Sequence, residues 1–283
     1  MTIPASSRQA FDAFEAAGWE QAADAYDEFF GPITHRLITP VLDAAGVTTG
    51  TRLLDIACGP GHLVAEAAAR GSHPVGIDVA HAMIRKAQAT HPLLDFRHGD
   101  AHRLPFPDSS FDAVTANFAI LHLSDPEDAT SEFARVLTPG GRVALTVWDQ
   151  PAHARLFGWV LDALDAAGAE APSDIPAGPP FFRFAEIGEL ETLLDATGFE
   201  DTNVRTLTFN HRASSVAAMW TGIIDGSVRT SALVRRQAPA VQQMIRRAFD
   251  ELVAGAVSGG EIEIPFSVKL ATARTREWRP ADR

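Results

Sequence analysis

The chain has 283 residues, 46% of them apolar, and a formal net charge of −12 at pH 7. That length holds one large domain or two modest ones around a real hydrophobic core. The acidic balance argues against a nucleic-acid phosphate backbone as partner, since such binders carry a basic face. The only cysteine, Cys58, cannot form an intramolecular disulfide. With no basic, apolar leader and no run of about 20 apolar residues, the expectation is a cytoplasmic protein without a membrane span.

Residues 6–30 carry apolar groups at helical spacing, Phe11, Phe14, Trp19 and Ala22 among them. Gly31-Pro32 breaks that run, and a second helix is expected over 33–45. Residues 51–56 read as a buried, branched strand carrying Asp55 near its end. Gly59 and Gly61 then let the backbone turn tightly, and a helix opens at about His62 and stops at Gly71, the usual residue beyond a helix C-terminus. Strand, glycine turn and helix place free backbone N–H groups at the carboxyl end of a parallel strand. Nucleotide-like ligands bind there in open α/β sheets.

The next strand, 75–78, ends on Asp78, whose carboxylate can accept both hydroxyls of a ribose. A dinucleotide loop would continue G-x-G-x-x-G, but Val64 stands where the third glycine belongs. The dinucleotide pattern fails there, although Asp78 by itself fits either ligand.

A short helix at about 81–90 presents Met83 and Ile84, which suit either a core or the face of an adenine. A third strand, 94–97, precedes Gly99-Asp100-Ala101. Two prolines and a serine pair make 104–110 a loop, and 111–116 enter a buried strand that delivers Asn117, Phe118 and Ala119 beside the glycine turn. His122 follows, an imidazole able to orient or deprotonate an acceptor. Asp125-Pro126-Glu127-Asp128 is a helix start, with an N-cap acid, proline at N1 and acids in the first turn. That helix ends at Pro139-Gly140-Gly141, before a strand over 143–148 that is expected to bring Trp148 and Asp149 to the same cleft.

Beyond residue 150 the pattern gives a helix at 153–167, a proline-rich loop at 171–180, a helix at 185–196 and a strand at 202–209. A helical insertion is expected at about 213–258, followed by an antiparallel strand over 262–273. The ten histidines are scattered singly, with no metal-ligand spacing.

Asp55, Ala57, Gly59 and Gly61 closely resemble motif I of the class I S-adenosylmethionine (SAM) methyltransferases, D/E-x-G-x-G-x-G, with alanine at its first glycine. The resemblance continues. Leu104-Pro105-Phe106-Pro107-Asp108-Ser109-Ser110-Phe111-Asp112-Ala113-Val114 matches L-P-F-x-D-x-S-F-D-x-V, and 135–141 match R-V-L-x-P-G-G. Trp19, Ala23, Tyr26 and Asp27 resemble the W-x3-A-x2-Y-D signature of ubiquinone/menaquinone-type C-methylases.

The resemblance implies a Rossmann-like, seven-stranded, mostly parallel sheet with helices on both faces. It implies one methyltransferase domain: a helical cap (1–46), a SAM-binding core (47–150) and a C-terminal half (151–283) holding the insertion. The cofactor implied is SAM, held by Asp55, Ala57, Gly59, Gly61, Asp78, Val79 and Met83, with Asp100 and Ala101 at the adenine. Asn117 and Phe118 face the methionine end and acceptor, and His122 is both a cofactor contact and the candidate base. Tyr26 either approaches the methionine end or anchors its helix. His211, His35 and Asp149 are further candidate bases. The reaction implied is methyl transfer to a small, partly hydrophobic acceptor at carbon, oxygen or nitrogen. Competing classes are a methyltransferase fold with a non-methylating role, as pericyclic catalyst or binding partner, and a nicotinamide-dependent oxidoreductase.

Overall fold

The computed structural model describes residues 5–258 and 261–277. Strand β1 (Arg52–Ile56) lies at the centre, buried along its length beyond Arg52. It pairs in parallel with β2 (His73–Asp78) on one side and β4 (Phe111–Asn117) on the other. β3 (Asp95–His98) extends the first side and β5 (Leu137–Trp148) the second. β8 (Glu261–Thr275) then runs antiparallel to β5 and to β6 (Phe199–Ala213) at the edge. The order is therefore β3-β2-β1-β4-β5-β8-β6, with the two-residue β7 (Val257–Ser258) folded onto β8. The direction of strand addition reverses between β1 and β4, which opens a crevice at the carboxyl ends of those strands. The seven-stranded, mostly parallel sheet expected from the sequence is present.

The connecting helices start and stop where local chemistry requires. α4 (His62–Ala69) opens from Gly61 in the left-handed region and buries Leu63, Val64 and Ala67. α6 (Pro126–Val136) is capped by the Asp125 carboxylate, which accepts from the Asp128 N–H at 3.0 Å, and it buries Ala129, Phe133 and Val136. α5 (His81–Thr90), α7 (Arg155–Ala166) and α8 (Ile187–Ala196) bury their own apolar stripes. Before β1 stand α1 (Ala5–Phe29), α2 (Gly31–Thr34), a 3-10 turn (His35–Leu37) and α3 (Ile38–Ala44). The sequence pattern gave one helix over 33–45; Pro40 lacks the N–H that would continue it, and the chain tightens into the 3-10 turn instead.

Two strands, β5 and β6, far exceed their expected length. β5 begins at Leu137, paired with Phe111, and Pro139-Gly140-Gly141 forms a bulge, with Gly140 at φ 76°, before pairing resumes between Ala113 and Arg142. β6 spans 15 residues because β8 pairs with it along nearly its whole length. The insertion folds as α9 (Val216–Gly226), α10 (Arg229–Arg235) and α11 (Pro239–Ala254). α9 packs on α1 so closely that a Cβ on Gly222 would meet the Phe29 ring at 2.2 Å. Cap and insertion thus close together over the crevice. Among the described residues no helix is long and apolar enough to cross a membrane, and no three His, Cys, Asp or Glu side chains gather to hold a metal.

Candidate active site

The turn after β1 is built on left-handed backbone. Ala57 (φ 52°), Gly59 (φ 52°) and Gly61 (φ 86°) all adopt it. The loop is tied down by the Cys58 N–H to the Ile77 carbonyl and by the Gly59 N–H to Asp78 Oδ2 at 2.9 Å. Asp78 Oδ1 accepts from the Ala80 N–H at 2.9 Å. Its carboxylate is buried, which pushes its pKa up while those backbone bonds pull it back. A Cβ built on Gly59 would stand 3.9 Å from Tyr26 and 4.0 Å from the Met83 sulfur, in the open space of the cleft. On Gly61 it would strike Phe96 at 2.6 Å, so that glycine serves packing.

One cleft collects most of the predicted positions. Tyr26, Ala57, Gly59, Asp78, Val79, Met83, Asn117, Phe118 and His122 all line it. Asn117 is locked by Thr146, whose hydroxyl donates to Asn117 Oδ1 at 2.6 Å and accepts from the Phe118 N–H at 2.9 Å. Phe118 holds φ 59° and stacks on Trp148 with ring centroids 3.9 Å apart. Burial pushes the Tyr26 phenol up to about 12, so it remains neutral at physiological pH.

Four predicted cofactor positions lie off the cleft wall. Asp55 is buried beneath the loop, where Thr115 Oγ1 donates to it at 2.7 Å, and desolvation pushes its carboxyl up to about 7. Gly61 faces Phe96. Asp100 turns its carboxylate onto the backbone N–H and Nδ1 of His102, at 2.9 and 2.8 Å, and Ala101 packs in the core.

The additional base candidates are also elsewhere. Asp149 does not share the cleft with Trp148: side chains alternate across a strand, and the two point to opposite faces. Asp149 is instead held by Ser267 Oγ at 2.7 Å and Lys269 Nζ at 2.9 Å in a separate groove. His211 lies on β6 near Arg36, where burial pulls its pKa down, and His35 is exposed, with its ring beside His62.

The sequence pattern missed much of the remaining wall. Glu15 and Trp19 come from α1, on the same stripe as Tyr26 and followed by Phe30, at spacings of four, seven and four residues. An acid inside that apolar stripe was the available signal. Phe157 and Phe181 add aromatic walls beside Trp148, which the sequence pattern does place here, and residues 226–230 of the insertion complete the rim, Arg229 among them. Glu15 Oε2 accepts from Trp19 Nε1 at 3.0 Å and lies 3.1 Å from His122 Nδ1.

A doubly wound sheet with a glycine turn at its switch point and a carboxylate on the next strand defines an α/β nucleotide-site protein. Known proteins narrow that class. Residues 54–145 match the family described as Methyltransferase domain. A demethylmenaquinone methyltransferase of Beutenbergia cavernae is 34% identical over 189 residues, 62% of this chain and 78% of the relative. A nocamycin O-methyltransferase of Saccharothrix syringae is 30% identical over 283 residues, 91% of this chain and 97% of the relative. Among solved structures, the [4+2]-cyclase SpnF covers 98% of both chains with a TM-score of 0.58 at 21% identity, a likeness of fold. The chain belongs to the class I SAM-dependent methyltransferases of the ubiquinone/menaquinone C-methylase type. It is a SAM-dependent methyltransferase enzyme, with SAM as its cofactor. The cleft suits that group: space beside Gly59 that a single Cβ would enter, a buried carboxylate with lone pairs left for hydroxyls, and aromatic rings able to face a sulfonium.

Proposed function

We propose that the cleft holds SAM along the glycine turn and takes a planar, largely apolar hydroxyl-bearing molecule at its aromatic end. Asp78 is the ribose acceptor, Ala57 and Gly59 leave backbone room, and Val79 and Met83 flank the base. Asn117, Phe118 and Tyr26 set the methionine end. Bound SAM supplies an activated methyl group, the C–S electron pair staying with sulfur as S-adenosylhomocysteine. The protein's own task is then to orient the acceptor and exclude water. Trp19, Phe30, Phe157 and Phe181 provide flat apolar walls, and His122 is the candidate base at that end. The cap and insertion choose the acceptor, as exposed variable elements on a fixed scaffold commonly do.

Oxygen is the methylated atom in this reading. One relative is named for demethylmenaquinone and the other for an O-methylation. The O-methyltransferase match extends over nearly the whole chain, so it includes the cap and insertion that wall the acceptor end.

The observation that carries the proposal is the convergence of Asp78, the Gly59 turn and the aromatic wall on one cleft. Thermal unfolding with SAM, S-adenosylhomocysteine or NAD tests it. At a hundred times the dissociation constant, binding adds about 2.7 kcal/mol, which raises the midpoint by roughly 5–10 °C for a chain of this size. The shift should occur with both adenosyl ligands and disappear in Asp78→Ala. A shift with NAD alone would overturn the assignment.

A further inference from the structure

The face that α1 turns to the cleft carries one charged group. Glu15 is only 3% exposed. Its Oε2 is engaged by Trp19 and His122, but its buried Oε1 has no hydrogen-bond partner among the described residues. The Arg229 Nε stands 4.0 Å from that oxygen, and the Arg229 guanidinium spends its own donors on the Leu121 and Pro179 carbonyls. A buried carboxylate oxygen without a donor is costly. In the wall of a ligand cleft, it marks a place where the ligand brings the donor.

The same carboxylate decides which nitrogen of His122 is basic. A carboxylate only accepts, so Nδ1 must carry the proton it shares with Glu15, and the lone pair belongs to Nε2. Among the described residues Nε2 has no protein partner. The imidazole is set edge-on to Trp19, ring centroids 5.0 Å apart, and to Phe181 at 5.8 Å. These rings hold its plane and leave a flat, apolar slot beside a fixed lone pair.

Resting on the O-methylation reading above, we infer that His122 and Glu15 are the proton-accepting pair of this enzyme and that its acceptors are planar rings bearing an acidic hydroxyl, a phenol or an enol. The acceptor O–H donates to His122 Nε2. As the oxygen takes the methyl group, its proton passes to Nε2 and the electron pair of the O–H bond remains on oxygen. Glu15 faces the imidazolium so formed, which later releases the proton to water. His122 is the catalytic residue. Glu15 acts through it as a positioning residue, with Oε1 turned toward Arg229 Nε at 4.0 Å. Glu15 and Arg229, across the cleft from Asp78, are the charged groups that share this space.

Two measurements test this without knowledge of the natural acceptor. Nitrogen NMR of histidine-labelled protein with S-adenosylhomocysteine reports the tautomer of His122. The Nδ1–H form is expected in the wild type and in Glu15→Gln, whose amide oxygen still accepts. In Glu15→Leu it should give way to Nε2–H. An Nε2–H tautomer in the wild type overturns the pair. The second probe is 4-nitrophenol, added with S-adenosylhomocysteine just below the pH at which it ionises alone. Binding to the wild type should raise its phenolate colour. That rise should fall roughly tenfold or more in His122→Phe, the scale of general-base effects, and roughly threefold in Glu15→Gln, which keeps the geometry without the charge. Wild-type protein that leaves the probe unbound overturns the acceptor class, and wild-type protein that binds it without ionising it overturns the base pair. The thermal shift with S-adenosylhomocysteine separates the two failures. If it is present and the probe stays neutral, the base pair is wrong; if it is absent from the wild type, the cofactor reading falls and the pair with it.

Discussion

Gly59 and Gly61 share left-handed backbone and lie two residues apart, yet the structure gives an alanine at each a different consequence. Either substitution places a Cβ in the αL region, at a cost of about 1–2 kcal/mol. Ala57 already adopts φ 52° in the same turn, so the backbone there tolerates a methyl group. At Gly59 the new Cβ keeps ordinary contacts of 3.9 and 4.0 Å. Gly59→Ala should therefore cost little beyond the backbone term, lowering the unfolding midpoint by about 2–8 °C at about 2–4 °C per kcal/mol. Its methyl group occupies the space assigned to the cofactor, and SAM affinity should fall by about tenfold or more, or at least about 1.4 kcal/mol. At Gly61 the Cβ would stand 2.6 and 2.7 Å from Phe96 and 3.1 Å from Ala87. Overpacking adds about 1–3 kcal/mol, so Gly61→Ala should lose about 2–5 kcal/mol in total, or roughly 4–20 °C. Calorimetric unfolding and isothermal titration with SAM measure the two effects separately. Wild-type SAM affinity in Gly59→Ala would refute the placement of the cofactor. Equal stability of the two variants would refute the packing of Phe96 beneath the turn.

Other outcomes follow from the same interactions. Asp78→Ala removes a carboxylate that gathers the Gly59 and Ala80 N–H groups; with charge-assisted bonds contributing about 1.5–3 kcal/mol each, SAM titration should show a loss of about tenfold to a hundredfold or more, and an unchanged affinity would exclude Asp78 from the site. Asp55 is pushed from its ordinary 3.8 to about 7 by burial, so the folded chain holds a proton that the unfolded chain releases over that interval. Its stabilising contribution is complete below about pH 4 and is lost as pH rises through about 7, by a total on the order of 4 kcal/mol. Urea unfolding of the cofactor-free protein across this range should show Asp55→Asn gaining on the wild type as pH rises; a constant difference would contradict a protonated Asp55. Arg229→Met strips donors from the Leu121 and Pro179 carbonyls and leaves Glu15 without its neighbouring cation. A loss of about 1–3 kcal/mol is expected from leaving these part-buried carbonyls without their donors, and a change below about 0.5 kcal/mol in denaturant unfolding would mean that water takes the place of the guanidinium.

The parts of this protein legible in the sequence are those governed by a few neighbouring residues. Asp125 and Pro126 announce a helix start because the cap bond closes within the first turn. Gly59 and Gly61 announce a tight turn because left-handed backbone favours them, and the alternation of strands and helices carries the parallel sheet with it. The end of the cleft proposed to hold SAM is legible for the same reason: Ala57, Gly59, Asp78, Val79 and Met83 lie within 27 consecutive residues, on one β-α-β unit and the helix after it. The edge strand β6 exceeds what its local pattern predicts, since it gains its extra length only from its pairing with β8.

The acceptor end was different. Glu15, His122, Phe181 and Arg229 meet there from four separate segments of the chain, and no local pattern records which of them share a cavity. Nor does proximity in sequence suffice: Trp148 and Asp149 are adjacent, but the pleat sends one into the cleft and the other into a salt bridge with Lys269. Sequence alone therefore determined the strand order's likeness to a nucleotide-binding fold and the glycine turn at its switch point, because backbone sterics and hydrogen bonds act over short distances. Only the tertiary structure decided what surrounds the acceptor, because that wall is made by packing between distant helices, whose contacts depend on how the whole sheet twists and which faces it leaves to be covered.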